Sequence, residues 1–158
     1  MNEYTVNFLF TSDLKNVLLI RKNRTAFKGK LNGVGGELNP GEQPLRCALR
    51  EIFEETGLKP ENLIEIDDGR QLKWLGTLIL PEDCKYGAHD GCKLHYFAGL
   101  IRKNDENNLK PAEEALVLEP VQKVITATPG NLEYAGNGDL AYFVSAGIRT
   151  LREQLDKN

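Results

Sequence analysis

The sequence predicts an α/β domain in which a mixed β-sheet is sandwiched between α-helices. The prediction depends on apolar runs of strand length bounded by turn residues, a helix-periodic segment in the first half, and a second such segment near the C-terminus. The chain has 158 residues, of which 41% are hydrophobic and 27% charged. This size and composition are typical of one globular domain, expected to span 1–158.

The N-terminal part begins with a predicted strand pair. Tyr4 to Phe10 and Val17 to Ile20 are apolar runs, and the polar cluster Thr11-Ser12-Asp13 between them is turn-like. A glycine-rich stretch at residues 31–38 follows, and Asn39-Pro40-Gly41 forms the next turn. We expect this stretch to be a loop that leads into the first helix.

Two helices are predicted. The first begins near Pro44, which suits a first helical turn, and ends at Gly57, a natural helix stop. Its apolar residues recur at i, i+3, i+4 and i+7: Leu45, Ala48, Leu49 and Ile52. The second helix is predicted from about Asp139 to Leu155. Its apolar stripe consists of Leu140, Phe143, Val144, Ile148, Leu151 and Leu155.

Three more strands are predicted between the helices. They span Lys73 to Leu80, Leu94 to Ile101 and, with a weaker pattern, Leu116 to Val121. Strands surrounding two helices favour the layered α/β arrangement.

Composition and charge narrow the function classes. The formal net charge is -3 with both signs mixed along the chain, so nucleic acid is not an expected partner. No apolar run reaches membrane-spanning length, and the N-terminus lacks a signal-peptide pattern. Three cysteines in a chain of this size favour reduced thiols and a cytoplasmic location.

Three glutamates share one face of the first helix. Glu51, Glu54 and Glu55 stand at i, i+3 and i+4, where like charges repel by about 0.2–0.5 kcal/mol per pair. Arg50 can pair with Glu54 and relieves only part of this repulsion. A divalent cation such as Mg²⁺ or Mn²⁺ would turn the repulsion into attraction, because it takes oxygen ligands and bridges carboxylates to phosphates. A solvated acidic face is the alternative, and these three residues alone leave the two interpretations about equal.

The surrounding residues resemble the Nudix box, G-x5-E-x7-R-E-U-x-E-E-x-G-U, in which U is a bulky aliphatic residue. The box covers residues 36–58, and its specified positions are filled by Gly36, Glu42, Arg50-Glu51-Ile52, Glu54-Glu55 and Gly57-Leu58. The sequence is therefore identified as a member of the Nudix hydrolase family, and it is most similar to the MutT-like branch. The resemblance implies the Nudix fold and cleavage of a phosphoanhydride bond with Mg²⁺ or Mn²⁺.

The resemblance also implies residue roles. The metal ligands would be Glu51, Glu54 and Glu55 with the backbone carbonyl of Gly35, and Arg50 would orient the glutamates. Glu42 would support this network, while Gly36 and Gly57 are box glycines. In MutT-like members the general base is often the glutamate at the position of Glu51. Other branches use a glutamate from a later loop, for which Glu113 and Glu114 are candidates, although both also suit a solvated turn.

In this fold, the residues that select the substrate lie outside the box. Asn32 matches an asparagine that hydrogen-bonds the base in oxidised-purine nucleoside triphosphatases, although Asn-Gly is also a turn signal. Further candidate substrate contacts are Phe8, Arg21, Lys28 and Asn137. The resemblance implies hydrolysis of a nucleoside triphosphate to a monophosphate and pyrophosphate. Triphosphates with an oxidised purine base belong to this expected substrate class. The alternative substrates are ADP-ribose and a nucleotide sugar, and the alternative function is that of a non-catalytic nucleotide sensor. The sequence does not fix the oligomeric state, and a homodimer is one of the options.

Four potential zinc ligands occur close together in the sequence: Cys84, His89, Cys92 and His95. The spacing lacks the C-x2-C pair of compact zinc sites, and His95 lies in an apolar run typical of a strand. A zinc site is therefore not favoured. Cys47 lies on the glutamate side of the first helix, where a small packing residue is the expected role.

Overall fold

Six strands and three α-helices account for most of the residues that the structure, a computed structural model, describes: 1–24, 27–81, 91–136 and 138–157. The strands are β1 (Asn2–Phe10), β2 (Asn16–Arg21), β3 (Leu31–Asn32), β4 (Leu72–Leu80), β5 (Cys92–Leu100) and β6 (Leu116–Pro120). The helices are α1 (Pro44–Thr56), α2 (Val121–Ile125) and α3 (Asp139–Asp156), with 3₁₀ turns at Pro60–Asn62 and Lys103–Asp105.

The strands form one mixed sheet. Its main order is β3-β2-β1-β5-β4, and β6 pairs with β2. The β1 and β5 strands run parallel in register from Asn2↔Cys92 to Phe10↔Leu100, and the other strand pairs are antiparallel. The predicted hairpin between β1 and β2 exists, but only Leu9↔Leu18 and Phe10↔Val17 are paired across it.

The first two strands diverge beyond those pairs, and the chain that follows β2 enters the gap. β3 pairs with β2, while the residues after β3 form isolated bridges to β1 at Asn7↔Val34 and Tyr4↔Glu37. The glycine-rich stretch therefore lies against the N-terminal half of β1. Because α1 follows this stretch directly, its glutamates are brought to the same end of the sheet.

Helix α1 covers one face of the sheet. Ala48 and Ile52 are buried in a core with Leu9, Leu18 and Phe97, and Leu45 and Leu49 pack against that core. Gly57 has φ +77°, a left-handed conformation that suits glycine, and its N–H donates to the Phe53 carbonyl. The predicted apolar stripe and both ends of this helix are confirmed.

Helix α3 covers the opposite face and completes the predicted sandwich. The predicted stripe is confirmed, since Leu140, Phe143, Val144, Ile148 and Leu151 are buried and Leu155 packs against them. Within the described ranges no helix is long and apolar enough to cross a membrane.

The ends of β2, β4, β5 and α3 differ from the predicted ones by one or two residues, and β3 is a short strand in the stretch that was expected to be a loop. The bounds of β1 and β6 also differ. β1 begins at Asn2 instead of Tyr4, because Asn2 and Glu3 pair with β5, a partner that is distant in the sequence. The last strand ends at Pro120 instead of Val121, because Val121 begins α2. This five-residue helix was not predicted, since its apolar residues are too few to show a helical period.

Candidate active site

The loop at residues 33–37 is fastened to β1 by backbone hydrogen bonds. The Thr5 N–H donates to the Gly36 carbonyl (2.9 Å) and the Asn7 N–H donates to the Val34 carbonyl (2.7 Å). A Cβ at Gly35 would overlap the Thr5 carbonyl group, and one at Gly36 would lie 2.5 Å from the Glu51 carboxylate. Glycine is therefore required at position 35 by the close approach of the β1 backbone, whereas a side chain at position 36 would displace the Glu51 carboxylate.

Glu55 is the most strongly perturbed carboxyl group of the first helix. Its side chain points to the loop, where Oε1 accepts a hydrogen bond from the Gly35 N–H at 2.8 Å. The pKa of Glu55 is raised to about 7, mainly by burial and also by the nearby charges of Glu51 and Glu114, while the Gly35 hydrogen bond and the charge of Lys22 act in the opposite direction. Burial also raises the pKa of Glu51, in opposition to Arg50. The free protein thus holds two carboxylates that lack full solvation.

Arg50 joins the other glutamates. Its Nε and Nη2 donate to the two carboxylate oxygens of Glu42 at 2.8 and 2.9 Å, a bidentate pair. Nη1 donates to Glu51 at 2.9 Å and to Glu54 at 3.2 Å, and Nη2 also reaches the Glu37 carbonyl at 3.0 Å. The hydrogen bond from Arg50 lowers the pKa of Glu42 to about 2. Arg50 therefore fixes where two of the predicted ligands lie.

Cys47 packs beneath this network. It is fully buried, and its Sγ lies 3.6 Å from Thr5 Oγ1, 3.7 Å from the Gly36 carbonyl and 3.6 Å from Arg50 Nη2. Burial raises the pKa of its thiol to about 11, so the group is protonated at neutral pH. The expected role of a packing residue is confirmed.

Two cavities meet at the glutamates. The first, of about 470 Å³, extends from Glu51 and Glu55 past the glycine loop to an apolar wall of Tyr4, Val6, Phe27 and Leu94. The second, of about 370 Å³, shares Glu51, Glu55 and Glu114 with the first. Glutamates that line it are Glu51, Glu54, Glu55, Glu113 and Glu114. The site therefore combines an acidic centre with an adjoining apolar compartment.

A hard divalent cation fits this donor set. Carboxylate oxygens dominate the acidic centre, and these are the ligands that Mg²⁺ and Mn²⁺ prefer. A cation would also compensate the buried charge of Glu51 and Glu55. Within the described part of the chain, no three acidic, histidine or cysteine groups already converge as a metal cluster. The hydrogen bonds explain this, because Arg50 holds Glu51 and Glu54 while the Gly35 N–H holds Glu55.

The structure places the candidate substrate residues in different environments. Asn32 lines the first cavity, and its Oδ1 accepts a hydrogen bond from the Gly33 N–H at 2.8 Å. Phe8 is fully buried in the core and does not line the cavity, because it lies deeper along β1 than Tyr4 and Val6 on the same face. Arg21 is exposed and donates to the Gly29 carbonyl, and Lys28 is exposed outside the cavity wall.

Other candidates from the sequence are placed as follows. Asn137, like Cys84 and His89, lies outside the described residues. Glu114 lines both cavities, whereas Glu113 is exposed and lines only the second. His95 contacts Glu3 at 2.8 Å and Thr77 at 3.0 Å, and Cys92 is buried.

Several residues of the apolar wall were not predicted to contact the substrate. Tyr4, Val6 and Leu94 belong to strands whose orientation is set by the parallel pairing of β1 and β5. The sequence offers four basic residues that could screen a triphosphate, and of these Lys22 and Arg24 line the cavity while Arg21 and Lys28 do not. Alternation along β2 could have indicated that Arg21 and Lys22 face opposite directions, but it does not show which of them faces the site.

Comparisons with known proteins agree with this geometry. The family model described as NUDIX domain matches residues 1–135. The human 8-oxo-dGDP phosphatase NUDT18 is 32% identical over 79 residues, which are 49% of this chain and 24% of that protein. This match thus spans about a quarter of the length of NUDT18.

Two solved structures share the fold. A Caenorhabditis elegans Ap4A hydrolase binary complex has a TM-score of 0.70 at 15% identity, covering 97% of this chain and 99% of that one. A MutT protein from Methanosarcina mazei Go1 has a TM-score of 0.64 at 18% identity, covering 96% and 94%.

Proposed function

This chain belongs to the NUDIX domain family, and on that premise we propose that it is a divalent-metal-dependent pyrophosphohydrolase of nucleoside triphosphates. The observation that carries the proposal is the position of Glu51 and Glu55. These partly buried carboxylates lie beside a glycine loop, at the junction of an acidic compartment and an apolar one. A nucleotide has the matching chemistry, since its phosphates require cations and its base suits an apolar wall.

Glu51, Glu54, Glu55 and the Gly35 carbonyl would hold the cation, with Glu114 opposite them. When bound, a divalent cation lowers the pKa of water and neutralises charge on phosphoryl oxygens. Arg50 keeps the α1 glutamates in place through its bidentate pair with Glu42.

A carboxylate must accept the proton of the attacking water. We assign this role to Glu51, which lies at the junction of both cavities with one oxygen held by Arg50 at 2.9 Å. Glu114 is the candidate from the later loop. It is held by Lys22 and by the Asn23 N–H, so its carboxylate is already engaged in the free protein.

Support for an oxidised purine nucleotide comes from two sources. Asn32 lines the cavity between the apolar wall and the glycine loop, where an amide can bind a base edge. NUDT18 is an 8-oxo-dGDP phosphatase, which makes the diphosphate a second substrate to test. Hydrolysis of a triphosphate is proposed to release a nucleoside monophosphate and pyrophosphate.

A nucleotide panel tests this function. The purified chain with Mg²⁺ would be incubated with dGTP, 8-oxo-dGTP, 8-oxo-dGDP, Ap4A, ADP-ribose and a nucleotide sugar. Nucleotide products would be separated by ion-exchange chromatography, and for the dGTP, 8-oxo-dGTP and 8-oxo-dGDP reactions phosphate would be measured with and without added inorganic pyrophosphatase. We expect phosphate from a triphosphate only when pyrophosphatase is present. Cleavage of none of these compounds would overturn the proposal, and phosphate released from a triphosphate without pyrophosphatase would contradict the proposed products.

Asn32→Ala is expected to reduce discrimination among nucleotides about tenfold to a hundredfold, with a smaller change in turnover of the best substrate. The reason is that a base edge left without its polar partner costs about 1–3 kcal/mol. The measurement compares kcat/KM for 8-oxo-dGTP, dGTP and dCTP. Asn107→Ala, at an exposed position, is the control. If the order of the kcat/KM values for these nucleotides is unchanged in Asn32→Ala, Asn32 is a turn residue and does not bind the base.

A further inference from the structure

We propose that the Lys22 ammonium group serves as a counter-ion for the acidic centre in the free enzyme and transfers to the substrate phosphates when the nucleotide and the divalent cation are bound. The inference deepens the proposed function and rests on it for the second step. The first step concerns only the chain and a cation.

The contact of Lys22 with Glu114 is the first observation. Lys22 Nζ lies 3.2 Å from Glu114 Oε1, and the Lys22 and Glu114 side chains are 25% and 10% exposed. The other Glu114 oxygen accepts the Asn23 N–H at 2.6 Å. Both residues line the cavity that contains Glu51 and Glu55. The ammonium is thus held inside the acidic wall by a carboxylate that has little access to water.

The second observation is that Lys22 lines the same cavity as Glu55. Glu51 and Glu114 also line this cavity, and Glu55 and Glu114 line the second cavity as well. The ammonium therefore lies in the acidic cavity that contains a proposed metal ligand of α1, in direct contact with Glu114. Its single charge partly compensates the same carboxylates that a divalent cation would compensate.

Two consequences follow from these positions. A divalent cation beside Glu55 and Glu114 is repelled by the ammonium, so Lys22 weakens cation binding when no substrate is present. Once phosphates enter, the ammonium has a new anionic partner, and its attraction to the phosphates offsets its repulsion of the cation. Lys22 should therefore lower the affinity for the bare cation and raise the affinity for the nucleotide. A merely structural ion pair would have neither effect.

The test uses Lys22→Met, the charge-preserving Lys22→Arg, and Lys103→Met at an exposed position outside both cavities. Binding of Mn²⁺ alone would be measured by electron paramagnetic resonance at pH 8.5, where protons compete little for the carboxylates. We expect Lys22→Met to bind Mn²⁺ about three- to tenfold more tightly, and the other two variants to stay within twofold of the parent chain. Thermal melts confirm that each variant is folded.

The second readout is steady-state hydrolysis of the best nucleotide at saturating Mg²⁺. We expect Lys22→Met to raise KM about tenfold with a smaller change in kcat, and Lys22→Arg to restore most of the affinity. Unchanged or weaker Mn²⁺ binding by Lys22→Met would overturn the counter-ion role. Tighter Mn²⁺ binding with an unchanged KM would overturn the transfer to phosphate. If the parent chain cleaves no nucleotide, the proposed function fails, whereas the Mn²⁺ measurement still decides the counter-ion role.

Discussion

Replacing Glu55 by glutamine is expected to lower kcat/KM by at least about a hundredfold, the scale of losing a key electrostatic group. Glutamine has nearly the same shape, and its side-chain oxygen can still accept the Gly35 N–H that Glu55 accepts at 2.8 Å. The loss would thus come from the missing negative charge and not from a displaced loop. Glu153→Gln, at an exposed position of α3, is the matched control. Turnover within about threefold of the parent chain would contradict the role assigned to Glu55.

The same substitution should stabilise the metal-free protein at neutral and alkaline pH. The folded-state pKa of Glu55, about 7, lies above the ordinary value of 4.5, so folding favours the protonated form. The contribution of this group to the free energy of unfolding is full below about pH 4.5 and is lost as the pH rises through 7. Glu55→Gln should therefore exceed the parent chain by roughly 2–3 kcal/mol at pH 8 and match it near pH 4.5.

Urea unfolding in the presence of EDTA at several pH values measures this difference. If the difference in the free energy of unfolding between Glu55→Gln and the parent chain does not grow from pH 4.5 to pH 8, ionisation of Glu55 does not destabilise the fold. Lower stability of Glu55→Gln at every pH would mean that the charge supports the fold, contrary to the electrostatics of the site.

Replacing Arg50 by methionine is expected to lower kcat about ten- to a hundredfold, because outer residues that orient metal ligands usually have effects of that size. Arg50 contacts Glu42, Glu51 and Glu54, and methionine keeps much of the length of the side chain without its five donors. Lysine cannot reproduce the bidentate pair with Glu42, so Arg50→Lys should recover little of the activity.

Kinetics at saturating Mg²⁺ with the best nucleotide would test the Arg50 prediction. The control is Arg46→Met, which changes an exposed arginine on the same helix. We expect kcat to fall more than KM rises, because Arg50 positions glutamates and does not contact substrate. A change confined to KM would instead assign Arg50 to substrate binding.

Local pattern was sufficient to predict the framework of the site. Apolar spacing, Pro44 and Gly57 define α1, and α1 is long enough for the helical period to place Glu51, Glu54 and Glu55 on one face. The resemblance to the Nudix box implied that Arg50 orients the glutamates and that Glu42 supports this network. The hydrogen bonds of Arg50 to Glu42 and to the Glu37 carbonyl show how they are connected.

The cavity walls depend on contacts between distant parts of the chain and were less predictable. The parallel pairing of β1 with β5 exposes Tyr4 and Val6 to the cavity and buries Phe8 two residues further on. Strand alternation groups these three residues on one face, but the depth of each along the sheet is set by tertiary packing. Lys22 likewise pairs with Glu114, a residue that is distant in the sequence, so local pattern could not place Lys22 in the cavity wall.

The most direct test of metal-dependent phosphoanhydride cleavage is turnover of the best nucleotide with and without the divalent cation. Pyrophosphate release would be followed in Mg²⁺, then in excess EDTA, and then after Mg²⁺ is restored beyond the chelator. The crowding of Glu51, Glu54 and Glu55 on one helix predicts that turnover stops in EDTA and returns with Mg²⁺. Full turnover in excess chelator would contradict the proposed role of these glutamates as cation ligands.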